Sequence, residues 1–534
     1  MALHRKNNPQ NKKKIILTAG LILILIITAG TAGCTGQETT QNTAADTNIQ
    51  ASEEFKVKIN EIIIKDDYEF SSWGMMAVDT NSGDVLLSMN ENELFTPGST
   101  TKVFTVTSAL GILGKDYRFK TPVYYKDNNL ILVASGDLAM GGRGADTGIL
   151  EFTAEDHVDA GAFGNCILVE ADPLSGLKSL AEQVRDSGIT KVSDVAIDAR
   201  LFKETKLEDP ALVTPIIIND NLIDVTITPG NTGEKPDIDW RPKSSAYTIK
   251  NSIITGATDA EMSVIVPEYT GQSVIEVSGT IPAESGPVIL TSNVIVPEEF
   301  ARSLFIDALE NAGVTVENSS KETNPVDILP EKDSYSDYKK TAELISPPFS
   351  EYAKVTLKVS QNLYANCMLG IIAAHEGYDI IEAGLYFEGK YLESAGVNLD
   401  SLFLGDGEGS IVNRISPYAA TSLTKYVAGT DNYQVLKDSM SILGVDGTLA
   451  SGAEKGDPGY GVIRAKTGTS VAGDMRGKIF VYARGLLGYM TTEKGNEITF
   501  VIYVNNIPGI ASIDALKGVV SDVNDISVLM YQYL

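Results

Sequence analysis

Pro97-Gly98-Ser99-Thr100-Thr101-Lys102 puts a hydroxyl and an amine three residues apart, where a turn runs into a segment with Val103, Val106, Leu110 and Leu113 at helical spacing. On a helix the two side chains share a face within reach of each other, a nucleophile beside a base. The spacing alone is not specific, because Ser175 to Lys178, Ser336 to Lys339 and Ser422 to Lys425 repeat it. Most such pairs are solvated helix faces. Ser99 differs in setting: it follows Thr96-Pro97-Gly98 and opens an apolar helix, so its oxygen meets the positive end of the helix dipole. Ser175 is the one serious rival, with Gly176 loosening its helix.

Two further motifs follow in order. Ser360-Gln361-Asn362 precedes a segment in which Leu363, Cys367 and Ile371 form one row and Tyr364, Met368 and Ile372 the next, the pattern of a buried helix. Lys466-Thr467-Gly468-Thr469 ends a strand-like run. Read singly, Ser360 and Asn362 are a helix cap and Lys466 an exposed strand end. Read jointly, S-x-x-K, S-x-N and K-T-G resemble the signature of penicillin-recognising serine acyltransferases.

Composition narrows the alternatives. The 534 residues are 43% apolar, enough for two to four domains with substantial cores. Forty-three Lys plus Arg against 70 Asp plus Glu give a net charge of −27, which argues against binding nucleic acid. Cys34, Cys166 and Cys367 are too few for a disulfide framework, and no C-x-x-C or H-E-x-x-H spacing suggests a metal. No serine has the G-x-S-x-G context, and the histidines are only His4, His157 and His375, so a Ser-His-Asp hydrolase is disfavoured. His157 and His375 show no partners and receive no role; Cys367 reads as core packing, and Cys166 is unassigned.

Residues 1–33 carry Arg5, Lys6, Lys12, Lys13 and Lys14, an apolar run from Ile15 to Thr28 and then small residues, the plan of a secretory signal. Thr31-Ala32-Gly33-Cys34 resembles a lipobox, with Thr31 where Leu is usual, and implies lipidation of Cys34. The alternative is an uncleaved anchor, since Ile15 to Ala32 is 18 residues. Both readings place the body outside the cytoplasm on a membrane anchor. Residues 34–52 read as a low-complexity tether.

Trp73 to Val78 and Asp84 to Met89 flank Asp79-Thr80-Asn81-Ser82-Gly83 and read as a hairpin. Residues 117–344 are rich in short β-type runs and read as a mostly β insertion. The runs Gly461 to Ala465, Ile479 to Tyr482 and Ile498 to Val504 precede a helix with Leu516, Val520, Val523 and Met530 on one face. Strands from both chain ends are expected to share one sheet.

On these motifs, with Gly444-Val445-Asp446-Gly447-Thr448-Leu449, Arg464-Ala465-Lys466-Thr467-Gly468-Thr469 and the long gap between Lys102 and Ser360, the chain resembles the D-alanyl-D-alanine carboxypeptidase/endopeptidase family of class C low-molecular-mass penicillin-binding proteins, of peptidase family S13 type. Asn219-Asp220-Asn221 followed by Val225 is similar to part of that family's insertion. The resemblance implies an α+β fold: a β-lactamase/transpeptidase-like domain with an antiparallel sheet flanked by helices, split into 53–116 and 345–534. It implies hydrolysis of D-Ala-D-Ala peptides of the cell wall, or related D-amino-acid amides, through an acyl-serine, with β-lactams as covalent inhibitors and no metal or organic cofactor. Ser99 is the implied nucleophile and Lys102 its base, a lysine that burial or a nearby Lys466 must keep neutral. Ser360 relays a proton to the leaving amine and Asn362 holds the acyl amide. Lys466, Thr467, Gly468 and Thr469 bind substrate, and the N–H groups of Ser99 and Thr469 form the oxyanion hole. A β-lactamase or esterase of the same fold and a non-enzymatic envelope-binding lipoprotein are the alternatives; the first lacks an E-x-x-L-N motif for fast deacylation. Two segments depart from the family: Asp406-Gly407-Glu408-Gly409-Ser410 stands where D-G-S-G-L-S is usual, and Leu138 replaces the proline after Gly136-Asp137.

Overall fold

The computed structural model describes residues 48–49, 52–160, 166–207 and 211–534. The leader, Cys34 and nearly all of the tether lie outside them. Among the described residues no helix is long and apolar enough to cross a membrane.

Asp79 Oδ1 accepts the N–H groups of Asn81 (2.9 Å) and Ser82 (2.7 Å), and Gly83 takes a φ of 81°. The chain therefore reverses tightly between two strands. Those strands belong to a sheet of Asn48–Ile49 (β1), Ser72–Asp79 (β2), Val85–Met89 (β3), Ser441–Ile442 (β4), Arg464–Gly473 (β5), Ile479–Thr491 (β6) and Glu497–Ile510 (β7). Its order is β1-β3-β2-β7-β6-β5-β4 and every pairing is antiparallel. The last three long strands exceed the apolar runs seen in the sequence, because ladder pairing carries them through glycines such as Gly473 and Gly485 and resumes beyond a bulge that contains Gly509.

β7 is buried from Ile498 to Val504 without alternation, the mark of a strand covered on both faces. On one face Thr499, Tyr503 and Asn505 bond to Thr424, Thr100 and Thr96. The helices are Glu53–Ile63 (α1), Thr101–Leu113 (α2), Phe349–Lys358 (α3), Asn362–His375 (α4), Ile381–Ser394 (α5), Pro417–Ala428 (α6), Tyr433–Ser439 (α7) and Ile513–Tyr533 (α8). α8 packs on α1, β6 and β7, whereas α6 packs on β2 and β7. α2 is buried on every side from Thr101 to Leu110 because α3, α4 and α5 surround it. On α8 the buried stripe runs through Leu516, Val519, Val523, Ile526 and Met530, with Val520 only half-buried.

Between α2 and α3 the chain leaves by the strand Lys120–Lys126 and returns by Lys339–Ile345, antiparallel neighbours with Lys120 opposite Ile345. Asn129–Val133 and Asp194–Asp198 complete a four-stranded sheet. Helices Ser175–Asp186 and Pro297–Asn311, a three-stranded sheet and two parallel pairs enclose a second core running from Val123 to Ala342. Phe119, Leu138, Phe202, Val213 and Ile217 from the same stretch pack instead into the first core beside α2, α3 and α4. The antiparallel sheet flanked by helices is the α+β arrangement that the resemblance implies.

Candidate active site

Gly98–Thr100 form one tight turn ahead of α2, with Gly98 at φ 52° and Ser99 half-buried. Lys102 is fully buried one turn later. Its Nζ lies 2.8 Å from Ser99 Oγ and donates to Asn362 Oδ1 at 2.6 Å and to the Glu408 carbonyl oxygen at 2.8 Å. One amine thus joins the first two motifs.

α4 explains how the second motif is held. Gln361 caps the helix by accepting the Leu363 N–H at 3.0 Å, so capping occupies neither the Ser360 hydroxyl nor the Asn362 amide. Ser360 sits at φ 62°, a left-handed conformation that costs a residue with a Cβ about 1–2 kcal/mol. The surroundings hold it there: Gln361 Nε2 donates to Asp220 Oδ2 (3.2 Å) and Tyr364 Oη to Asp220 Oδ1 (2.6 Å).

Asp220 belongs to a buried ionic cluster that corrects the reading of His157 as partnerless. His157 Nε2 meets Asp220 at 2.9 Å and its Nδ1 meets Asp224 at 2.8 Å; Arg143 pairs with Asp156 (2.8 Å) and with Asp220, and Arg241 with Asp224 (2.9 Å). Three cations face three carboxylates. Burial alone lowers the pKa of His157, but Asp224 and Asp220 outweigh it and push it up to about 10. Burial likewise disfavours the Asp220 anion, yet Arg143 and His157 hold its carboxyl well below the usual range. Asp156, His157 and Asp220 lie within metal-ligating reach of one another, but Arg143 already bridges the two acids.

The third motif runs along an open strand edge. β4 pairs with β5 only at Arg464 and Ala465, so from Lys466 onward that edge turns toward Gly98. The approach is tight: a Cβ on Gly468 would lie 2.3 Å from Pro97 O, and one on Gly98 would lie 3.1 Å from Thr469 N. Only glycine permits this contact, which brings the Ser99 turn against the Thr469 backbone. Lys466 is buried and donates to Thr467 O at 2.7 Å, and Thr467 Oγ1 bonds to Thr448 Oγ1 at 2.8 Å. Thr448 stands on a bracket in which Asp446 pairs with Lys358 at 2.6 Å and Gly447 has a φ of 57°; a Cβ there would strike Ser441 Oγ at 2.4 Å. The sequence motif Gly444–Leu449 thus positions Thr467.

The departures from the family pattern also find places. Asp406 Oδ1 accepts the N–H groups of Glu408 (3.0 Å) and Gly409 (2.8 Å), fixing the loop that offers Glu408 O to Lys102. A carbonyl does this, so the contact does not depend on which side chain stands at 408. A Cβ on Gly409 would come within 2.0 Å of Gly98 O. Asp137 is buried and accepts Tyr352 Oη at 2.6 Å, while Leu138 fills the core.

Ser175, the rival nucleophile, bonds to Gly141 O, and Lys178 is drawn to Asp172. Cys367 is buried against Thr214 O at 3.6 Å, and burial pushes its thiol up to about 12, so it packs as a hydrophobe. Glu388 on α5 is buried beside Thr105, and burial, outweighing the Thr105 hydroxyl, pushes its pKa from 4.5 up to about 8. The folded state then keeps a proton that the unfolded chain has released, so stability falls as pH rises across that interval. Glu388→Gln should raise Tm at about pH 8.5 and leave it little changed at about pH 4, by calorimetry. An equal shift at both pH values would contradict the buried neutral acid.

The sequence profile described as "D-Ala-D-Ala carboxypeptidase 3 (S13) family" matches residues 55–522. The chain is 27% identical over 478 residues to a D-alanyl-D-alanine carboxypeptidase of Actinomadura sp. (strain R39), covering 85% of this chain and 81% of that one. It is 25% identical over 500 residues to the penicillin-sensitive carboxypeptidase A of Dictyostelium discoideum, covering 87% and 90%. The crystal structure of penicillin binding protein 4 from Haemophilus influenzae superposes with a TM-score of 0.65 at 18% identity, over 89% of this chain and 99% of that one, and so shares the fold. With the family profile spanning nearly the whole folded body, the chain belongs to the D-Ala-D-Ala carboxypeptidase (S13) family.

Proposed function

We propose that this protein is a serine-type D-Ala-D-Ala carboxypeptidase and endopeptidase that acts on cell-wall peptides through an acyl-serine at Ser99, and that β-lactams acylate the same residue. The observation that carries the reading is the placement of Lys102 Nζ at 2.8 Å from Ser99 Oγ and 2.6 Å from Asn362 Oδ1, with Lys466 to Thr469 along the neighbouring strand edge. Lys102 takes the Ser99 proton as Oγ bonds to the carbonyl carbon between two D-alanines. The C–N bond then breaks, the leaving amine receives a proton by way of Ser360, and water later hydrolyses the ester. The carboxypeptidase names of the sequence relatives support the substrate class. The basic and apolar leader and Cys34 support an extracytoplasmic, membrane-tethered site of action.

The direct test is incubation of the purified protein with a diacyl-L-Lys-D-Ala-D-Ala peptide. Stoichiometric release of D-alanine is expected, and no release under conditions that preserve the fold would overturn the reading. Lys466 is assigned to the substrate's terminal carboxylate. Lys466→Ala should lower kcat/KM for this peptide by about ten- to two-hundredfold and affect a neutral aryl ester of the same acyl group much less. Equal, pH-independent losses on both substrates would defeat the assignment, whereas a loss on the ester that recovers at alkaline pH would mean that Lys466 serves to keep Lys102 neutral.

A further inference from the structure

The buried arginines are not alike. Arg143 pairs with Asp156 and Asp220, and Arg302 pairs with Asp194 at 2.6 Å. Arg484 on β6 is only 4% exposed, yet its Nε has no hydrogen-bond partner and it forms no ion pair among the described residues. Burial, unopposed by any nearby acid, pushes its pKa down to about 10. A guanidinium taken out of water without a counter-charge is a large local cost that folding does not recover.

Its position suggests what it answers. Arg484 stands opposite Thr469 in the β5–β6 register, and its Nη1 donates to Thr469 Oγ1 at 3.0 Å. A guanidinium has no acceptor, so the hydroxyl must accept in this bond, and its own hydrogen is left to donate elsewhere. Thr469 closes the Lys466–Thr469 segment, on the strand edge that β4 leaves open. On that strand the Thr469 hydroxyl thus has a donor to spare and is backed by a positive charge that no acid among the described residues neutralises.

We propose that Arg484 is a specificity-determining positioning residue for substrates ending in a free carboxylate: it orients the Thr469 hydroxyl as a donor to that carboxylate and supplies a second positive charge behind it. The inference rests on the proposed peptidase function. Because the charge is uncompensated without an anion, the residue stabilises the complex at the expense of the free protein.

The test compares Arg484→Met and Arg484→Lys with the wild-type protein. For a peptide ending in D-Ala-D-Ala, Arg484→Met should lower kcat/KM by about ten- to hundredfold, mainly through KM, while a neutral aryl ester of the same acyl group changes by less than about threefold. Its Tm should be equal to or above that of wild type, since it sheds a buried charge, and Arg484→Lys should recover part of the lost activity on the acid. An equal loss on both substrates with a lowered Tm would make Arg484 a structural residue and overturn the proposal, as would no loss on either. Should the wild type release no D-alanine, the peptidase reading fails by itself. Calorimetric binding of a D-Ala-terminated peptide acid against its amide, to wild type and Arg484→Met, then decides the role: selective loss of the acid supports it and unselective binding overturns it.

Discussion

Ser99→Ala should reduce D-alanine release by about four orders of magnitude or more and abolish covalent capture of a labelled penicillin, because every later step passes through the acyl-serine. Neighbouring hydroxyls offer no substitute. Thr100 Oγ1 is engaged with Pro97 O at 2.9 Å and with Tyr503 Oη at 3.1 Å, and Thr101 Oγ1 accepts from Asn413 Nδ2 at 3.5 Å. Ser99 is half-buried and small, so the alanine variant should keep its Tm and the loss can be assigned to chemistry. Fluorescent penicillin on a denaturing gel and the intact mass of the adduct both read the result. Labelling undiminished in Ser99→Ala would move the nucleophile elsewhere and remove the basis for the proposed mechanism.

What the sequence made legible was whatever could be stated as local spacing and order. Ser99 to Lys102 is three residues on one helix, and Ser360 to Asn362 opens another; the alternatives, such as Ser175 to Lys178, share the spacing but lack the turn and the apolar helix. The capping of α4 was not legible, because serine is the commoner cap and Gln361 takes the part only with its side chain fixed from beyond the helix. His157 was invisible for a plainer reason: Asp220 and Asp224 lie 63 and 67 residues away, and only the folded insertion brings them together. The same holds for the pairing of Lys120 with Ile345, which ties the ends of that insertion together, and for Glu408, whose carbonyl carries no residue signature. Asp446 and Thr448 stood within a quoted motif, but their service to Lys358 and Thr467 required the strand edge to be in place.

Lys102 should be nearly as sensitive as Ser99, and the proposed role of proton acceptor can be told apart from that of a fixed charge. An uncharged amine has two N–H donors and one lone pair. Lys102 Nζ donates to Asn362 Oδ1 at 2.6 Å and to Glu408 O at 2.8 Å and lies 2.8 Å from Ser99 Oγ, so service as a base requires the lone pair of the uncharged amine to face that hydroxyl. Lys102→Met keeps the volume and removes the base, so acylation by penicillin and peptide turnover should both fall by about a hundred- to ten-thousandfold, the range for loss of a general base. The methionine removes a buried donor from Asn362 and Glu408 and is expected to lower Tm, so by itself it cannot separate chemistry from packing. Lys102→Arg does so: it supplies a fixed positive charge and donors to Asn362 and Glu408 but, staying protonated at working pH, cannot accept the Ser99 proton. It should acylate as slowly as the methionine variant. If Lys102→Arg instead kept more than about a tenth of wild-type acylation, electrostatic support rather than proton transfer would be what Ser99 needs, and the base would have to be sought among the other groups of the cleft.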